Sequence, residues 1–189
     1  QKAMDNSGAI AGPLIAFALL SLFPGNYRLL FMLAGIPAIA GVFVIIFGIK
    51  EARKKKETLI RKFRFSDFSP RYWFFLGIIF VFTLGNSTDA LLLVKANEAG
   101  IKVAFIPLVY LLTNVVSVVA AIPAGSLSDR IGKEKLLVAG FLIYAVVYFC
   151  FGLNPGRGLL FGLFAMYGLY SAATDGIQKA FVSDIVDPL

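Results

Sequence analysis

Histidine is absent from this chain, and cysteine occurs once, at Cys150. The first absence removes every Ser–His or Cys–His nucleophile pair, along with any histidine-held metal or haem. The second removes an internal disulfide and any thiolate cluster. Cys150 sits inside an apolar run and is expected to be plain packing. Charge is also scarce: 15% of residues are charged and 59% are hydrophobic, which is not the make-up of a soluble domain. Alternation of apolar and polar residues over about 10 positions, the mark of a membrane β-barrel, is missing from the solid apolar runs. No metal site, resident cofactor or cleavable signal peptide is expected.

What the chain does have is a series of apolar runs of about 20 residues, each long enough to cross about 30 Å of hydrocarbon as a helix. The expected fold class is therefore all-α, a polytopic transmembrane helical bundle. Six spans are expected, near 7–23, 28–49, 72–94, 103–124, 136–153 and 158–178. Short turns at Pro24-Gly25-Asn26, Asn97 to Gly100 and Asn154-Pro155-Gly156 alternate with basic connections. Fourteen of the eighteen Lys and Arg residues then fall on one side, leaving Arg28, Lys95, Lys102 and Arg157 on the other. That bias puts the N-terminus, loop 50–71, loop 125–135 and the C-terminus in the cytosol. The net charge of +7 is thus a topology signal, and a nucleic-acid partner is not expected. Loop 50–71 reads either as a solvated topology-setting loop or as a basic segment whose Phe63, Phe65 and Phe68 dip into an anionic lipid surface.

The most informative stretch joins the fourth and fifth spans: Gly125-Ser-Leu127-Ser-Asp129-Arg130-Ile-Gly132-Lys133-Glu134-Lys135. Its glycines favour close backbone approach, and Asp129 and Arg130 suit a helix end or an opposite charge. It resembles the signature loop of the major facilitator superfamily (MFS) of transporters, roughly G-x-L-x-D-R-x-G-R/K. Gly125, Leu127, Asp129, Arg130, Gly132 and Lys133 match; Glu134 stands where the family usually carries another basic residue. The start, with Gly8, Gly12 and Pro13, resembles part of the fifth-helix G-x-x-x-G-P pattern of proton-exchanging exporters. Ala16 and Phe17 replace that pattern's final glycine pair. As physics, glycines four apart form a flat face for helix contact, and Pro13 loosens the hydrogen-bond ladder. Tyr167 to Asp184 is similar to the family's tenth helix and its exit.

The resemblance implies a partial MFS fold, with the fifth to tenth of an expected twelve helices. Residues 1–49 would then be the last two helices of the N-terminal half. Residues 50–71 would form the cytosolic linker between halves, and 72–189 the first four helices of the C-terminal half. The missing helices of the same chain would complete the bundle. In the family's scheme Asp129 pairs across a cytosolic latch, while Arg130 and Lys133 hold the neighbouring turn or lipid phosphates.

Polar residues inside a membrane are costly and mark function by default. Asn86 and Asp89 lie about 21 and 26 Å above Tyr72 along a continuous helix, three apart and so on one face. Asn114 lies about 16 Å from the outer entry, near the midplane. Each of these is open between substrate contact and packing or capping. Asp175 and Lys179, four apart near the cytosolic exit, are expected to form a structural or gating ion pair. No carboxylate sits at the midplane, so any proton coupling would rest on Asp89 or on helices outside this sequence. The function expected is secondary transport by alternating access, with membrane lipids and a small neutral or amphipathic solute as partners. The setting expected is the cytoplasmic membrane of a prokaryote. The alternative is a non-transporting sensor or assembly partner on the same frame. An intramembrane enzyme is disfavoured by the absence of H-E-x-x-H and of paired midplane carboxylates.

Overall fold

A computed structural model describes residues 2–48, 69–86 and 89–185. Most of loop 50–71, including Phe63, Phe65 and Phe68, lies outside the described residues. Those described form seven α-helices and one short 3-10 turn. They are α1 (Lys2–Leu22), α2 (Tyr27–Gly48), α3 (Pro70–Gly85), α4 (Asp89–Glu98), the turn Val103–Phe105, α5 (Ile106–Ile131), α6 (Lys133–Gly152) and α7 (Arg157–Ile185). The all-α bundle expected from the sequence is the fold found. The reason is elementary: an apolar run in lipid must satisfy its own backbone, and only a helix does so within one segment.

Local signals set the ends. Asn26 opens α2 by accepting from the Leu29 amide at 3.1 Å. Ser69 does the same for α3, accepting from the Tyr72 amide at 3.3 Å, with Pro70 in the first turn, where its missing N–H costs nothing.

Three boundaries differ from expectation. The stretch 125–131 is helix rather than loop, since α5 runs on through Ile131. Nothing in Gly125 to Arg130 breaks the ladder, and the Ser128 hydroxyl folds back onto the Gly125 carbonyl at 2.7 Å. Only Gly132, at φ +97°, turns the chain into α6, a conformation that other residues reach at a cost. The third span is not one helix: α3 stops at Gly85 and α4 starts at Asp89. Finally, α7 extends seven residues past the expected end, to Ile185.

Length and composition qualify four segments to cross a membrane: Tyr27–Val44, Pro70–Glu98 (counted across the undescribed 87 and 88), Val103–Ile131 and Lys133–Gly152. The apolar part of α1, Gly8–Leu22, is shorter. Although α7 is the longest helix, it is less apolar than these four. It packs against both α5 and α6 and buries Leu160, Leu163, Phe164, Tyr167 and Ala173, so much of its surface faces protein instead of lipid. By contrast α2 buries nothing within its apolar window and leaves Phe31, Ile36 and Phe47 outward.

Close helix approach happens at two glycines the sequence did not single out. A Cβ on Gly168 of α7 would stand 2.6 Å from the Thr113 carbonyl oxygen of α5. One on Gly140 of α6 would stand 2.7 Å from Thr174 Cγ2 of α7. Gly8, Gly12 and Gly125, expected to sit at close contacts, back onto open space among the described residues. Pro13 lies inside α1 without ending it.

Candidate functional site

Two constellations stand out, one at each end of the bundle. At one end the turn at Gly132 presents neighbouring residues of opposite sign to two different helices. Lys133 Nζ reaches Asp184 Oδ2 near the end of α7 at 2.6 Å. Glu134 bonds the Arg71 guanidinium in the first turn of α3. The one position where the chain leaves the signature pattern therefore makes a contact of its own. Exposed pairs of this kind contribute only about 0.2–1 kcal/mol each. Their effect is positional: α3 and α7 are both tied to the same turn. Asp129 and Arg130 are exposed on the last turn of α5 and make no ion pair among the described residues.

The second constellation surrounds the break between α3 and α4. Asn86 caps α3, its backbone N–H donating to the carbonyls of Phe82 and Thr83. Its side-chain Oδ1 is buried with no hydrogen-bond partner among the described residues. Asp89 opens α4, and its Oδ1 accepts from the Tyr167 hydroxyl at 2.7 Å. The shared helix face expected for Asn86 and Asp89 is therefore corrected, because the helix ends between them. Tyr144 donates to the Gly85 carbonyl at 2.9 Å, so α6 and α7 each hold one side of the break. Around these contacts Phe82, Phe141, Tyr144, Tyr148, Tyr167 and Tyr170 form one aromatic cluster. Its closest centroids, Phe82–Phe141 and Tyr144–Tyr148, are 4.1 Å apart. Sequence reasoning missed this cluster. Its signal was there in the i, i+4 spacing of Tyr144 and Tyr148 and the i, i+3 spacing of Tyr167 and Tyr170, which put each pair on one helix face.

Between the two ends runs a polar seam. Asn114 Nδ2 donates to the Ala9 carbonyl at 3.0 Å, joining α5 to α1. Ser117 and Ser171 hydroxyls meet at 3.1 Å, and Ser171 donates to Asp175 Oδ2 at 2.6 Å. The expected Asp175–Lys179 pair is absent from the ion pairs of the described residues. Asp175 turns along the helix toward Ser171, one turn back, rather than forward to Lys179. At the far end Lys95 Nζ donates to Asn154 Oδ1 at 3.1 Å and Arg157 Nε to the Ala99 carbonyl at 3.0 Å, closing the α6–α7 turn against α4.

One consequence can be tested directly. Tyr167→Phe removes the donor that holds Asp89 and is expected to lower stability by about 0.6 kcal/mol, the average for a hydrogen bond between membrane helices. It should also increase labelling of Asp89 by dicyclohexylcarbodiimide, with Asp89→Asn as the unlabelled control. Equal labelling of wild type and Tyr167→Phe would show that Tyr167 does not restrain the carboxylate.

The family model of the Major Facilitator Superfamily matches residues 2–188. The chain belongs to that superfamily of membrane transporters and is an integral multi-pass membrane protein. It is similar to an uncharacterised MFS-type transporter of Methanocaldococcus jannaschii, at 27% identity over 98% of this chain and 48% of the relative. The chain thus spans about half the length of the relative it matches. No solved structure matches it at a significant level.

Proposed function

We propose that the protein is a secondary transporter that moves a small solute by alternating access, two helical halves rocking about a central site. The observation that carries this reading is the Asn114–Ala9 bond. It joins α5, from beyond the basic linker, to α1, from before it, across the place where the two halves would meet. On this reading 1–49 ends one half, 50–71 is the cytosolic linker and 72–189 begins the other half. The excess of basic residues on one face supports cytosolic termini in a prokaryotic cytoplasmic membrane. Asn86, Asp89 and Asn114 belong to the solute pathway, and the turn at Gly132 to a cytosolic latch.

Proton coupling and export are proposed on narrower grounds. Asp89 is an exposed carboxylate at the start of α4, held by a neutral hydroxyl and by no basic partner within salt-bridge distance among the described residues. Gly8, Gly12 and Pro13 supply part of the exporter pattern. The test is flux in proteoliposomes holding the full natural chain, with a panel of neutral and amphipathic solutes under an imposed pH gradient. Gradient-driven accumulation is expected, collapsing with a protonophore. Asp89→Asn should retain solute exchange but lose gradient-driven accumulation. No flux for any solute, with a protein partner co-purifying through loop 50–71, would replace this reading with the sensor alternative.

A further inference from the structure

Proline lies inside three of the helices: Pro13 in α1, Pro37 in α2 and Pro123 in α5. Each lacks the N–H that a regular helix gives to the carbonyl four residues earlier. The carbonyls left without that donor belong to Ala9, Leu33 and Val119. In water, solvent replaces the missing donor. In hydrocarbon the replacement has to come from the protein. Among the described residues, Ala9 alone of the three receives one from another helix. The donor is Asn114 Nδ2 of α5, at 3.0 Å.

A second contact sets the register of this pairing. The rings of Phe17 and Phe105 meet with their centroids 5.5 Å apart. Ala9 lies about 12 Å back along α1 from Phe17, and Asn114 about 14 Å onward from Phe105 along α5. The two contacts run in opposite chain directions over nearly equal lengths, as antiparallel helices require. Close backbone packing does not hold the helices together at this level. Gly8 and Gly12, which flank Ala9, back onto open space among the described residues, so the Asn114 side chain is what spans the gap.

We propose that Asn114 is a positioning residue dedicated to the carbonyl that Pro13 bares, the two residues forming a pin between α1 and α5. Each then depends on the other across a hundred residues of chain. The amide of Asn114 has a carbonyl to meet because Pro13 gives it no N–H, and the apolar run tolerates Pro13 because Asn114 covers the gap in the ladder. That α1 and α5 belong to different halves rests on the function proposed above. On that reading the pin holds the halves together at this point, and opening the bundle here means breaking it.

The experiment is a double-mutant cycle in the full natural chain, read as melting temperature in detergent. Asn114→Ala removes the donor, and the expected loss is on the order of 3 °C. Pro13→Ala returns an N–H to the Ala9 carbonyl from within α1. In that background Asn114→Ala should cost less than about a third as much, because the carbonyl no longer needs it. Packing by Asn114 alone would give the same cost in both backgrounds, and that result would overturn the pin. Pro37→Ala is the control: Asn114 does not touch the carbonyl of Leu33, so the cost of Asn114→Ala should stay as in wild type. Relief by Pro37→Ala equal to that by Pro13→Ala would overturn the pin as well. Where Pro13→Ala is not recovered folded, Pro13→Gly supplies the same N–H and leaves α1 free to bend. The cycle reads stability alone, so an additive result sinks the pin without touching transport, and an absence of flux sinks the proposed function without touching the pin.

Discussion

Gly168→Val is expected to abolish recovery of folded, monodisperse protein, and Gly168→Ala to lower its melting temperature by several degrees. The cause is the crossing of α5 and α7. A Cβ at residue 168 meets the Thr113 carbonyl oxygen at 2.6 Å and Val116 Cβ at 2.9 Å. The nearest atom is backbone, so no side-chain rotation relieves the clash and the helices must separate. Separation also loosens the hydrogen bonds on either side of the crossing: Thr113 to the Phe164 carbonyl at 3.3 Å and Ser117 to Ser171 at 3.1 Å. Overpacking by a single methyl costs about 1–3 kcal/mol, against a typical total of about 5–15 kcal/mol. Valine adds two further methyls at the same point. Gly125→Ala is the control of opposite sign. Nothing among the described residues lies near its Cβ, and alanine is favoured over glycine inside a helix by up to about 1 kcal/mol. Melting curves for the three variants decide the matter. Equal stability of Gly168→Val and wild type would mean that α5 and α7 do not cross here.

Asp129→Asn is expected to reduce transport roughly tenfold or more, within the range of typical couplings between conformational states, while insertion and stability stay at wild-type levels. The residue is exposed on the last turn of α5 and holds nothing together among the described residues, so the fold loses little when its charge goes. Its position is what matters. It lies three residues before Gly132, where the chain turns toward Lys133–Asp184 and Arg71–Glu134. A carboxylate there adds a third charged arm to a turn that already grips α3 and α7. Asparagine keeps the shape and removes the charge, and Asp129→Glu should restore part of the rate. The measurement is initial flux in proteoliposomes, normalised to inserted protein. Undiminished flux in Asp129→Asn would exclude a latch that depends on this charge.

The turn at Gly132 also shows how a departure from a family pattern acquires meaning. On sequence alone, Glu134 reads as a missing positive charge, because a basic residue is usual there. With α3 in place, Glu134 becomes the partner of Arg71, sixty-three residues earlier. No local pattern links the two positions, since each depends on where α3 docks.

Sequence alone determined the class of this protein, its approximate spans and its topology signal. Apolar runs in lipid have one low-energy backbone, and lysine and arginine resist crossing the bilayer. Both are local properties, readable residue by residue. The Gly125 to Lys133 motif and the polar interruptions of apolar runs at Asn86, Asp89 and Asn114 were legible for the same reason. Only the tertiary structure decided what these residues touch. It placed Asp89 against Tyr167 and Asn114 against Ala9, turned Asp175 to Ser171 instead of Lys179, and moved the close helix approaches to Gly140 and Gly168. Small-residue spacing says that a close approach is feasible at a position. Which glycine is used depends on the crossing point of two helices, and that point is set by the packing of the whole bundle.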